Sequence, residues 1–216
     1  MSVSSNFDSG ASYLSSEEDY NEFNLAKENI SLPEGGKYVA PSNEMDDLIA
    51  RAYNDPHNLA EDINTNRKEN NLDPIDFGKN PDPVRLMEGG LGKEQGSLGD
   101  NPVRVDLYDP KEFGLTEPDG KEQGAGKEFI PKGEAPEDVP KTSGGVSEGK
   151  LTKEYPNPEF SAKTGKVSPV ENPQEEQSSE GKIAGDITQA KAAQSSTETE
   201  TTAPASAQST DKGQEY

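Results

Sequence analysis

This chain has very little with which to build a core. Leu, Ile, Val and Phe supply 34 of 216 residues, while the formal net charge is −21. That share, about 16%, lies below the roughly 20% under which a strongly charged chain is expected to stay unfolded. Ordering each residue costs roughly 1–2 kcal/mol of backbone entropy, which only buried apolar surface can offset on this scale. Trp and Cys are absent, and Gly and Pro together account for 38 residues. These facts set the expected fold class: intrinsically disordered, with short transient α-helices near 16–30, 43–53 and 56–65 and no stable globular domain.

Charge narrows the partners. Residues 1–30 carry six acids against one base, and residues 175–216 carry eight acids against three bases. Such a chain is repelled by phosphate backbones and anionic membranes, so direct nucleic-acid binding is not expected. Mean hydropathy is −1.01, and no run approaches the roughly eighteen apolar residues of a membrane span, so no membrane insertion is expected. The N-terminus has neither the cationic nor the apolar region of a secretory signal, which leaves a cytoplasmic or nuclear location by elimination.

Three segments follow from the patterning. Residues 1–66 hold the helix signals. Ser16 can cap a helix opening on Glu17, Glu18 and Asp19, with Tyr20 and Phe23 on one face. Met45, Leu48, Ile49, Ala52 and Tyr53 have the spacing of a helical face, with Asn43 as the expected cap. Asp55 followed by Pro56 can start a further helix carrying Leu59, Ala60 and Ile63. Helices this short are marginal alone, so they are expected to firm up on a partner.

Residues 67–174 read as a Gly/Pro-rich spacer with faint echoes. Asp73–Gly78 and Asp109–Gly114 both spell D-P-x-x-F-G, and Gly92–Gly96 recurs at Gly120–Gly124 as G-K-E-Q-G. The echoes are 36 and 28 residues apart, and stacked repeats need a constant period. Residues 175–216 form a Ser/Thr/Glu/Ala-rich low-complexity tail.

The chemistry of sites is sparse. His57 is the only histidine and there is no Cys, so no thiol nucleophile or Cys/His metal set exists. Carboxylates tuned for acid–base work must be buried, and these are expected to be solvated. No catalytic, metal or cofactor site is therefore expected. Asp62-x-Asn64-x-Asn66 imitates a calcium loop, but Arg67 stands where that loop needs Gly. Gly90-Leu-Gly92-Lys93 imitates a phosphate loop, but Glu follows where Ser or Thr is required.

What remains is interaction. The expected function is that of an acidic, disordered regulatory protein, monomeric when free, binding a protein partner through a basic or apolar groove. Its anchors would be Tyr20, Phe23, Met45, Leu48, Ile49 and Tyr53, by coupled folding and binding. Ser15, Ser16 and Ser168 are the expected phosphorylation sites, the first two before acids and the third before Pro169. Two alternatives stand beside it. The composition resembles the hydrophilin class of desiccation protectants, which act by bulk hydration. A viral scaffold or phosphoprotein accessory is the other.

Overall fold

The computed structural model describes residues 6–20, 37–121, 128–131, 139–152 and 165–173. All lie in the first of the two units into which the chain divides, Met1–Pro173. Their order is β1 (Ala11–Ser16), β2 (Lys37–Pro41), α1 (Ser42–Asn54), α2 (Pro56–Glu69), α3 (Pro83–Gly90), β3 (Pro102–Leu107), β4 (Leu115–Thr116), β5 (Phe129–Ile130), β6 (Lys141–Thr142), β7 (Gly149–Leu151) and β8 (Gly165–Pro169). A six-stranded sheet runs β4-β7-β2-β1-β3-β8, and β5 pairs with β6 apart from it. Every pairing is antiparallel.

This overturns the expectation of a wholly disordered chain, and the reason is uneven composition. Among the 127 described residues, 26 are Leu, Ile, Val or Phe, against 8 of the other 89. The described part thus sits near the roughly 20% threshold that the whole-chain average misses. Placement does the rest. Twenty hydrophobic residues are buried, and Tyr108 is the only large hydrophobic one exposed among those described.

Two apolar clusters flank the sheet. On one side Leu14 and Ala40 meet α1 through Met45, Leu48, Ile49 and Ala52, α2 through Leu59 and Ile63, and α3 through Leu86 and Met87. On the other, Phe7, Ala11, Val39, Val105, Leu107, Phe113 and Leu151 pack together. The division follows from the pleat. Ala11 pairs with Leu107 and Tyr13 with Val105, so alternate residues of β1 and β3 share a face.

The helices begin where turn chemistry allows. Glu17–Tyr20 are helical, and Ser16 Oγ accepts a hydrogen bond from the Asp19 amide at 3.0 Å, a side-chain cap. The rest of the helix expected near 16–30 falls outside the described residues. α1 spans one residue more at each end than the expected 43–53, and Asn43 does not cap it. Instead Ser9 Oγ accepts from the Asn43 amide at 3.4 Å and donates to Asn43 Oδ1 at 2.8 Å. α2 starts at Pro56 as expected and runs past 65 to Glu69. The Asp55 carboxylate accepts from the Asn58 side chain, at 2.8 Å, rather than from the backbone.

α3 lies in what reads as spacer. Asp82 Oδ1 accepts from the amides of Val84 and Arg85 at 2.9 and 3.1 Å, and Pro83 holds the first position. The loop at Gly144 crosses the end of α3 so closely that an added Cβ would lie 2.3 Å from the Gly89 carbonyl oxygen. The two D-P-x-x-F-G copies, an irregular segment at 73–78 and a turn at 109–114, each set a Phe against an apolar cluster. Phe113 is buried and Phe77 packs on the helical cluster, each before a glycine with φ near +70°. Only glycine adopts that conformation at low cost.

Candidate functional site

The sheet splits at its centre, and the split makes a cleft. β1 and β2 pair only at Ala11–Pro41 and Ser12–Ala40. The residues beyond that point, Tyr13 and Leu14 on one strand and Lys37, Tyr38 and Val39 on the other, line a cavity of about 280 Å³. Met45 of α1, the Leu91–Lys93 turn after α3, Glu128 and Phe129 of the β5 segment, Thr142, Ser147 and Glu148 complete it. That size is at the small end of ligand pockets, which run roughly 300–1,000 Å³.

Two lysines enter this cleft. Lys37 Nζ lies 4.7 Å from the centroid of the Tyr13 ring, a cation–π contact. Among the described residues, neither Lys37 nor Lys93 belongs to an ion pair; the pairs there engage Arg51, Arg67, Arg104 and Lys111. Burial, reinforced by the Lys93 charge and opposed by Asp19, brings the Lys37 ammonium down from 10.5 to about 8. Burial lowers Lys93 too, but there Asp19, Glu88 and Glu148 all pull the other way. Burial, with a smaller contribution from Tyr20, holds the Tyr13 phenol well above its usual range. A half-buried cation without an ion-pair partner costs free energy that an anion arriving in the cleft would return.

The wall of the cleft is braced from behind. Arg67 of α2 forks onto the Glu128 carboxylate, with Nη2 to Oε1 at 3.3 Å and Nη1 closer still to Oε2. Arg67 Nε also donates to the Asp73 carbonyl at 2.7 Å, and Nη1 to Ser143 Oγ at 3.2 Å. Glu88 is fully buried, contrary to the expectation of solvated carboxylates. It accepts from the amides of Gly96 and Leu98 at 2.6 and 2.7 Å and so shapes the turn that presents Lys93.

The residues singled out from sequence are elsewhere. Met45, Leu48 and Ile49 are core residues, 0%, 3% and 6% exposed, and Tyr53 packs partly buried against them. Their helical face is covered by this chain's own sheet and helices. Only Met45 reaches the cleft. Tyr20 packs against the other cluster, and Phe23 lies outside the described residues. Ser15 and Ser16 end β1, and Ser168 sits in β8 opposite Arg104. The calcium-loop imitation is helical: Asp62 pairs with Arg51, Asn64 bonds the Ile75 backbone, and Asn66 bonds the Gly144 carbonyl. Among the described residues no group of three or more acids or histidines is placed to hold a metal. No helix there is long and apolar enough to cross a membrane.

Lys37 and Lys93 escaped sequence reading. Lys93 stands in the Gly-Lys pair examined as a phosphate loop, and nothing in the sequence marks Lys37 among its fellow lysines. Compared with protein-family models, with curated proteins and with solved structures, the chain matches none.

Proposed function

We propose that this domain binds a small ligand bearing an anionic group, such as a carboxylate, in the cleft between β1 and β2. One observation carries the reading: two ammonium groups converge on one partly buried cavity with no ion-pair partner among the described residues. In a chain of net charge −21, two cations sharing one cavity, neither in an ion pair among the described residues, are an arrangement that needs a reason. Apolar walls from Leu14, Val39 and Phe129 suit a small hydrocarbon body on that ligand. Lactate and inorganic phosphate are the probes, followed through backbone amide shifts at Lys37–Ala40 and Leu91–Lys93. Saturable shifts are expected, with affinity weakened about tenfold or more in the Lys37→Met, Lys93→Met double variant. Absent shifts, or unchanged affinity in that variant, would overturn the reading.

A second reading, docking of a basic protein segment, is favoured by a groove between α1 and α2. Asp47 and Glu69 flank a floor of Leu48, Leu59 and Val146 there. An oligolysine peptide should bind with a steep dependence on salt, and Asp47→Lys with Glu69→Lys should abolish it. Binding that ignores both the reversal and the salt would exclude this groove.

A further inference from the structure

The two lysines of the cleft are not equivalent, and the difference assigns them separate work. Lys93 has three carboxylates acting on it, those of Asp19, Glu88 and Glu148, which favour its charged form. Among the described residues, Lys37 has Asp19 alone in its favour and the Lys93 charge against it. Its amine rests over an aromatic face rather than beside an acid, where the ring of Tyr13 fixes its position without neutralising it. A lysine that is desolvated and crowded by a second cation is one whose free amine is accessible as a nucleophile near neutral pH.

We propose that Lys37 is a carbonyl-reactive amine, which condenses with a small oxo acid whose carboxylate is held by Lys93. This rests on the anion-binding reading above and adds a covalent step to it. The lone pair of Lys37 Nζ attacks the carbonyl carbon as the carbon–oxygen π bond breaks, giving a carbinolamine. Its hydroxyl then leaves as water, and a protonated imine remains. Counted from the lysine ammonium, two N–H protons depart on that water, nothing is oxidised or reduced, and the step is reversible. The apolar walls of the cleft favour the imine by limiting the water that would hydrolyse it.

Pyruvate with cyanoborohydride tests this on the intact chain, because hydride from the reagent fixes the imine as a secondary amine that peptide mapping locates. At neutral pH, Lys37 should gain the carboxyethyl group at least about tenfold faster than the exposed Lys68 and Lys111, since each unit by which its pKa is lowered gives tenfold more free amine. Lys93→Gln should slow labelling by pyruvate more than labelling by acetone, which has no carboxylate. Lys37→Arg should lose the adduct. Labelling spread evenly over the lysines, or concentrated on Lys93 or Lys150, overturns the proposal. If lactate shifts the cleft amides but pyruvate forms no adduct at Lys37, the covalent step alone fails. If neither lactate nor pyruvate perturbs the cleft, the anion-binding reading fails with it.

Discussion

Arg67 and Glu128, 61 residues apart, meet in a two-pronged ion pair that ties α2 to the β5 segment at the back of the cleft. Such geometry adds direction as well as attraction, because the planar guanidinium matches a carboxylate edge to edge. The Arg67 side chain is 10% exposed and that of Glu128 35%, so water screens the pair on one side only.

Arg67→Met should therefore destabilise the domain by about 2–3 kcal/mol, less than the 3–5 kcal/mol of a fully buried pair. Glu128→Gln should cost less, about 1 kcal/mol, because Ser143 and Arg67 can still bond the amide oxygen. Urea unfolding of the two single variants and the double variant measures the coupling. Strictly additive losses would mean that the pair contributes nothing beyond its separate parts.

Leu48 lies against Gly90, where an added Cβ would come within 2.5 Å of a Leu48 methyl, and it is 3% exposed. Leu48→Ala should cost about 2–5 kcal/mol, as for other core truncations. Tyr108→Ala, at the exposed position, should stay within about 0.5 kcal/mol of the parent. Circular dichroism should record a single cooperative transition for the parent. A featureless melt, or equal effects of the two substitutions, would contradict a core centred on α1.

The charge of Lys37 should leave a signature in the pH dependence of stability. Folded, this lysine gives up its proton near 8; unfolded, near 10.5. Between those values the unfolded chain holds a proton that the folded one lacks, so stability rises with pH across that window. Below it both states are charged, and the full cost of burial stands, up to about 3 kcal/mol. The groups facing the amine are Lys93, Asp19, Tyr13, Glu148 and the Arg67-bound Glu128. Lys37→Met should thus be more stable than the parent at pH 7, with the gap closing between pH 8 and 10.5. Referring each melt to the parent at the same pH cancels the other lysines and tyrosines. A gap that does not move with pH would show that the ammonium is not desolvated.

The helices were legible because their signals are local. The spacing of Met45, Leu48, Ile49 and Ala52 marks α1, and Asp55-Pro56 marks the start of α2. Asp82-Pro83 carries the same signal and does start α3, yet the Gly- and Pro-rich surroundings mask it as spacer. The strands were hidden for a different reason. β1 reads Ala-Ser-Tyr-Leu-Ser-Ser and β2 reads Lys-Tyr-Val-Ala-Pro, short runs with few branched residues. They are strands because β3 and β7 lie beside them, and such context is non-local. Val103, Val105 and Leu107 do alternate, a period of two that the average composition of the chain obscures. The cleft was beyond reach altogether. It exists only because β1 and β2 part after two residue pairs, and that depends on what packs between them.

Of the described strands β1 is made first, and it is one of the two at the centre of the sheet, with its long ladder reaching to residues 102–107. On a ribosome adding roughly 5–20 residues per second, it waits several seconds for that neighbour with the edge that β3 will cover bare. Unpaired edges of that kind recruit other chains. Three of its six residues are serines, so a stray strand finds little apolar surface to hold. The polarity that conceals β1 in the sequence also protects it during synthesis, until the partner that makes it a strand has been made.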